Sequence, residues 1–244
     1  MDVKSNNSFL GNISEIGPMN GLVGWWPLDG HTKDLTSNRN DGINNGAVVT
    51  SGLGQSAYEF DSTTDSIEIN NNILSIGEPH TVSLWIKPSS ILPTGTSSSL
   101  RSTPFTGNGP VWSPGMWLTG SMIRVHAATE YRDYIINYNT TNWWHIGQIF
   151  DGTICYTIIN GTVVLGTRTS YSPSNPTTFR IGNESASSSY YWDGKIQDVR
   201  IYNRVLSQEE INILYNLTNP EQKQRVINSN SGIVYTKGFF KETL

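Results

Sequence analysis

A chain of 244 residues with a formal net charge of −4 and only 15% charged residues has enough length for one sizeable core. It lacks the clustered Lys and Arg of a nucleic-acid surface. No apolar run reaches membrane-spanning length, and Met1 to Asn12 lacks the apolar stretch of a secretion leader. The single cysteine, Cys155, excludes an intramolecular disulfide and lies in an alternating T-I-C-Y-T-I-I run that reads as a buried structural thiol.

In chain order, residues 1–20 read as a polar arm broken at Gly17-Pro18. Strands are expected near 22–28, 57–61, 66–70 and 81–87, where β-branched and aromatic residues recur at strand spacing. From Pro88 to Gly120 the chain is rich in Ser, Thr, Pro and Gly and reads as irregular, carrying Phe105, Trp112 and Trp117. Strands resume near 121–127, 134–138, 143–150, 153–159, 162–166, 177–182 and 195–203. Asn160-Gly161 and Asp151-Gly152 are hairpin signals, the first being the stronger. Val199 and Ile201 alternate with Asp198, Arg200 and Tyr202, the pattern of a strand with two differently solvated faces. Ser207 stands three residues before Glu210, a capping box. Ile211, Leu214 and Tyr215 then carry a short helix over about 207–216, closed by Asn219-Pro220. Residues 219–244 form a polar linker and then S-G-I-V-Y-T-K-G-F-F-K-E, a candidate strand with no partner of its own.

Five blocks carry a family resemblance: Gly21 to Asp34 (G-L-V-G-W-W-P-L-D-G-H-T-K-D), Ser56 to Ile69, Thr81 to Pro88, Asn142 to Gly152, and Trp192 to Tyr215. In this order, over roughly residues 21–217, they resemble the laminin-G-like, concanavalin-A-like lectin/glucanase superfamily in its bacterial and viral branch. The resemblance implies an all-β fold, a jelly-roll β-sandwich of two antiparallel sheets with one short C-terminal helix. The expected organisation is an N-terminal arm (1–20), a sandwich (21–218) and a C-terminal extension (219–244) that offers an assembly strand. Residues 89–135 and both ends match the family poorly.

Asp29, Asp34 and Asp41, with Asn38 and Asn40 between, crowd one loop, and hard cations take six to eight oxygen ligands from such groups. The loop resembles the family's calcium loop, although His31 and Lys33 replace small neutral residues and Arg39 adds a charge. The resemblance implies a structural Ca2+ held by Asp29, Asp34, Asn38 and Asp198. The alternative is an Asx-turn loop with Asp198 paired to Arg200.

Trp25, Trp26, Trp85 and Trp144 belong to strand blocks, where packing accounts for most of them. Trp112 and Trp117 fall in the irregular stretch, and with Asn108 they have the chemistry of a glycan groove. Burial against a sandwich edge or another subunit is the alternative. Glycosidases of this superfamily carry Glu-x-Asp-x-x-Glu on one strand; here Glu59 and Asp61 are followed by Thr64 and Asp65, which breaks the pattern. No pair among His31, His80, His126 and His145 has zinc-ligand spacing.

The expected function is a non-enzymatic recognition and structural module: a virus or phage surface protein of decoration, tail or fibre type with a lectin-like sandwich. The alternative is a free calcium-dependent lectin-like module, and a glycoside hydrolase stands third. Expected partners are a glycan or cell-surface polysaccharide and other particle subunits bound through the terminal arms. An oligomer at an extracellular or virion surface is expected, with neither nucleic-acid binding nor membrane insertion.

Overall fold

Alternating apolar residues build sixteen strands and one helix among the residues that the computed structural model describes. These are 17–75, 77–90, 102–108, 114–119, 122–127, 130–165, 167–170, 178–183 and 190–218. The first eight strands are β1 (Leu22–Trp26), β2 (Ile43–Asn45), β3 (Val48–Ser51), β4 (Ser56–Asp61), β5 (Ser66–Ile69), β6 (His80–Pro88), β7 (Ser102–Asn108) and β8 (Gly115–Thr119). There follow β9 (Met122–Ala127), β10 (Glu130–Ile135), β11 (Trp144–Phe150), β12 (Cys155–Ile159), β13 (Thr162–Val164), β14 (Thr167–Ser170), β15 (Thr178–Ile181), β16 (Asp193–Tyr202) and α1 (Gln208–Thr218).

Two antiparallel sheets form the sandwich. The first runs β13-β12-β11-β6-β16-β4-β3, with β1 also on β16, and the second runs β14-β10-β9-β8-β7-β15-β5-β2. Val82, Leu84 and Ile86 of β6 meet Phe105, Met116, Leu118, Phe179 and Ile181 of the second sheet in one core. Trp26, Phe60 and Trp192 fill its largest spaces, and Cys155 is fully buried in the same core. Burying each large apolar side chain contributes on the order of 1.5–3 kcal/mol.

β16 changes partner midway. Residues Asp193–Ile196 pair with β4, whereas Val199, Arg200, Ile201 and Tyr202 pair with β1 on the same side. The break falls at Asp198, whose φ of 51° makes a bulge in the ladder with β6. The alternation expected here is present, but neither face is solvated: Arg200 and Tyr202 are buried too. The reason is α1, which packs Ile211 and Leu214 on Ile149, Ile158, Tyr202 and Leu206 and so covers the outer face of the first sheet. The capping box forms as the sequence implies: the Glu210 amide donates to Ser207 Oγ at 3.3 Å and the Ser207 amide to Glu210 Oε2 at 3.0 Å. Asn160 and Gly161 both take positive φ, 46° and 81°, as a two-residue hairpin turn of the primed kind requires.

The stretch read as irregular, Pro88 to Gly120, contains β7 and β8. Pro104 is accommodated in β7 because the register with β8 shifts between Ser102 and Phe105. β10 lies at Glu130–Ile135 rather than 134–138, since its polar residues hide its alternation. β2, β3 and β14 carry three or four residues each, too few for a period to show.

Of the three buried histidines, His80 and His145 lie in the first sheet. His80 Nδ1 lies 2.8 Å from the Glu78 carbonyl and its Nε2 lies 3.0 Å from the Gln148 amide, while His145 Nε2 lies 2.7 Å from Ser83 Oγ. Burial pushes both down to about 4; the Asp198 charge partly opposes this at His145 and Arg200 reinforces it. Unfolded histidine titrates near 6.5, so the unfolded chain binds more protons between about pH 6.5 and 4. Stability is therefore full above about pH 6.5 and declines as pH falls toward 4. Denaturant titration should show a loss on the order of 2 kcal/mol per histidine between pH 7.5 and 5, and His80→Gln should shrink it. A flat profile over that range would contradict the buried neutral assignment.

Candidate functional site

The acidic loop is organised by Asp34, which is 2% exposed. Its Oδ1 accepts the amides of Trp25 at 3.0 Å and Thr36 at 2.9 Å. Its Oδ2 accepts the Thr36 hydroxyl at 2.9 Å and the Asn40 amide at 3.0 Å. Asp41 Oδ1 accepts the Asp34 amide at 2.9 Å, and Asn38 Nδ2 donates to the Val23 carbonyl at 2.9 Å. Asp29 is exposed and accepts the Ser56 amide at 2.9 Å. Asp198 approaches from β16, where its Oδ1 accepts Trp25 Nε1 at 2.8 Å and Arg200 Nε at 2.9 Å. The loop and Asp198 thus meet, but through Trp25, whose amide binds one acid and whose indole binds the other.

A calcium shell needs carboxylate lone pairs aimed at one point. Here those of Asp34 accept four protein donors, and Asp198 carries its own cation, with Arg200 side chain 3% and Asp198 side chain 7% exposed. Among the described residues no group of three or more His, Cys, Asp or Glu is placed to hold a metal. Asp29, Asp34, Asn38 and Asp198 do not fit that ion in this arrangement. They fit an Asx-type loop sealed by a buried ion pair, with the Arg200 guanidinium 4.4 Å from the Trp25 ring centre.

The expected glycan residues separate. Trp112 lies outside the described residues, and Asn108 ends β7, its backbone paired with Thr178. Trp117 stands in β8 rather than in a loop and is 2% exposed. Its ring centre lies 4.1 Å from that of His126 and 5.9 Å from the Arg124 guanidinium. Register explains the grouping. Trp117 is opposite Arg124, and Arg124 is opposite Asp133, so β8, β9 and β10 present one row on the outward face of the second sheet. Arg124 grips Asp133 with two bonds, at 2.5 and 2.6 Å, and both side chains keep partial exposure, 16% and 23%. The neighbouring row runs His126, Gly115, Thr106, Arg180 and Glu68, with Arg180 bonded to Glu68 at 3.2 Å. Gly115 leaves that row without a side chain between His126 and Thr106. This face therefore carries basic, acidic and aromatic groups, of which Trp117, His126, Thr106 and Arg180 are buried and Arg124 and Asp133 are partly exposed. Trp117 was visible in the sequence, but Arg124, Asp133 and Arg180 were not, because only strand register brings them beside it.

Two arrangements bear on catalysis. Asp61 accepts the amides of Thr63, Thr64 and Asp65 and the hydroxyls of Thr63 and Thr64, which holds its carboxyl well below the usual range. Asp65 is pushed up by burial and by the Asp61 charge. Their proton affinities diverge as an acid–base pair's do, yet Asp61 spends both oxygens on its own turn, and Asp65 is 7% exposed with its Oδ2 on the Asp61 amide at 3.0 Å. Ser83 and His145 form the described Ser–His pair, but each is within 2% of complete burial, and Tyr215 of α1 stacks on the adjacent Trp85 at 5.4 Å. In the first arrangement the carboxylates are engaged within their own turn, and the second is closed off by burial.

The family model of the concanavalin A-like lectin/glucanases superfamily matches residues 61–212, and the chain belongs to that superfamily. No curated protein sequence matches it. Domain 4 of AbnA, an extracellular GH43 arabinanase from Geobacillus stearothermophilus solved in complex with arabinotriose, is similar with a TM-score of 0.61 and 20% identity. That match covers 81% of this chain and 98% of the domain. The binding domain of Paraclostridial Mosquitocidal Protein 1 is similar at TM-score 0.61 and 18% identity, covering 80% of this chain and 52% of that one. The receptor-binding domain of botulinum neurotoxin C/D mosaic serotype gives 0.59 and 20%, covering 80% and 51%. The chain thus spans about half the length of the two toxin domains. What the likeness establishes is the lectin-like β-sandwich fold.

Two measurements check the loop. Arg200→Met leaves Asp198 buried without its cation and should cost about 3–5 kcal/mol, part of which adding Asp198→Asn should restore. Thermal midpoints in calcium and in chelator should agree within about 1 °C, because only an ion that binds the native state raises them. A calcium-dependent rise would reinstate a cation in the loop.

Proposed function

We propose that this chain is a non-enzymatic carbohydrate-recognition and structural module that works outside the cell or on a virus or phage surface. The observation that carries the reading is the Trp117–Arg124–Asp133 row on the outward face of the second sheet. The forked ion pair fixes the Arg124 guanidinium and the Asp133 carboxylate in one geometry, and both side chains keep partial exposure. Buried Trp117 stands beside Arg124 on the neighbouring strand, its ring centre 5.9 Å from the guanidinium, and is a positioning residue rather than the stacking platform expected from sequence. The arabinotriose complex of the AbnA domain supports a glycan as ligand for a sandwich of this shape. The printed roles of the two toxin domains, binding and receptor binding, support recognition rather than turnover. The engaged oxygens of Asp61 and the sealed Ser83–His145 pair support a non-enzymatic reading in the same direction.

Screening the full chain on a polysaccharide and oligosaccharide array that includes arabinotriose tests this directly. Arg124→Ala and Asp133→Asn should each weaken the bound glycan at least about tenfold, equivalent to roughly 1.4 kcal/mol, with the thermal midpoint little changed. Asp29→Ala, in the acidic loop, should leave binding intact. An array without binding, or equal binding by Arg124→Ala, overturns the reading.

A further inference from the structure

The start of α1 is tied to the start of the sandwich by Arg204. Its Nε donates to the Asn20 carbonyl at 2.7 Å, and its Nη1 and Nη2 fork onto Glu210 at 2.8 and 2.5 Å. Glu210 in turn accepts the Ser207 amide, so one arginine joins residue 20 to the helix cap. Residues 19–22 form a turn in which the Leu22 amide donates to the Met19 carbonyl at 3.2 Å and Gly21 takes a φ of 75°. Such a turn calls for glycine at its third position. Packing calls for it too, since a Cβ on Gly21 would lie 2.9 Å from Arg204 Cγ and from Asn203 Oδ1. The glycine that the clamp requires also leaves the neighbouring carboxamide unshielded, because no side chain hinders approach of the Gly21 nitrogen. Asn20 is exposed, and among the described residues its side chain has no hydrogen-bond partner.

We infer that Asn20 is a self-modification site, where the chain converts asparagine to isoaspartate and so unseats the Arg204 clamp. The inference does not depend on the glycan proposal. The Gly21 amide nitrogen gives up its proton to base and attacks Asn20 Cγ. The bond from Cγ to the carboxamide nitrogen breaks, ammonia leaves, and a succinimide ring remains. Water then opens the ring at either carbonyl, giving aspartate or isoaspartate. In isoaspartate the main chain runs through the former side chain. The carbonyl that Arg204 held becomes a carboxylate off the chain, and Gly21 moves one bond away from its close seat on Arg204. Asn-Gly also occurs at Asn45, Asn108 and Asn160. Gly109, which follows Asn108, lies outside the described residues. Asn45 is exposed but ends β2, with its Nδ2 3.5 Å from Ser66 Oγ. Asn160 is pinned: its Oδ1 accepts the His145 amide at 3.0 Å, and a Cβ on buried Gly161 would lie 2.9 Å from Tyr215 Cγ. The structure therefore favours reaction at Asn20 and opposes it at Asn160, although both carry the same dipeptide.

Incubating the full chain at mildly alkaline pH, followed by peptide mapping with mass spectrometry, tests it. In the folded protein Asn20 should convert at least about tenfold faster than Asn160, which must first break its bond to the His145 amide. In denaturant the two rates should converge, because only the fold separates them. The converted protein should melt at a lower temperature than fresh protein. Asn20→Gln, whose longer side chain closes a ring slowly, should stay unconverted and keep its midpoint through the same incubation. Asn20→Ser repeats that control if Asn20→Gln does not fold. Equal rates at Asn20 and Asn160 in the folded chain, or an Asn20 that does not convert, overturn the inference. A converted protein whose midpoint is unchanged also overturns it, since the Arg204 clamp would then be intact.

Discussion

The structure depends on one strand changing partner at Asp198. β16 is bordered by β6 on one side along much of its length, but its other side belongs first to β4 and then to β1. That division needs a bulge, and the bulge turns a carboxylate into a nearly dry environment beside Trp25. An isolated charge there would be costly, so Arg200, two residues on, and the Trp25 indole supply the compensation. The acidic loop is tied to the same tryptophan through Asp34, so opening strand, loop and closing strand are fixed as one unit.

On the function proposed above, the two outward sheet faces do different work. On the first sheet, α1, Tyr215 and the Asp198–Arg200 pair seal the surface, and polar groups such as Ser83 and His145 serve packing there. On the second sheet, basic, acidic and aromatic side chains line up across neighbouring strands with a side-chain-free position between them. The Trp117 ring packs beside Arg124, and the Arg124 and Asp133 side chains stay partly exposed. Recognition of a neutral, hydroxyl-rich ligand suits that combination, because fixed donors and acceptors lose little freedom on binding.

What was legible in the sequence was local. Ser207 with Glu210, Asn160 with Gly161, and the alternation of β6 and β16 act within a few residues, so the helix, a hairpin and the central strands were readable. The fold followed from those blocks and their resemblance to a known superfamily. What was not legible was register. Arg124 and Asp133 are nine residues apart and become neighbours only when β9 and β10 pair; Arg180 and Glu68 are 112 apart. Trp117 was misplaced for a related reason, since a Pro- and Gly-rich surrounding hid a short strand whose Met116 and Leu118 face the core. The acidic loop showed the limit of composition as a guide: clustered carboxylates resemble a cation shell, but the same lone pairs satisfy backbone amides instead.

The most direct test of the division between a sealed face and a recognising face is amide hydrogen exchange on the full chain, with and without a saturating oligosaccharide such as arabinotriose. Added protection should concentrate on residues 115–119, 122–127 and 130–135, the strands that carry the Trp117–Arg124–Asp133 row. Protection centred instead on the Asp29–Asp41 loop, or on α1 and the outer face of the first sheet, would contradict the assignment.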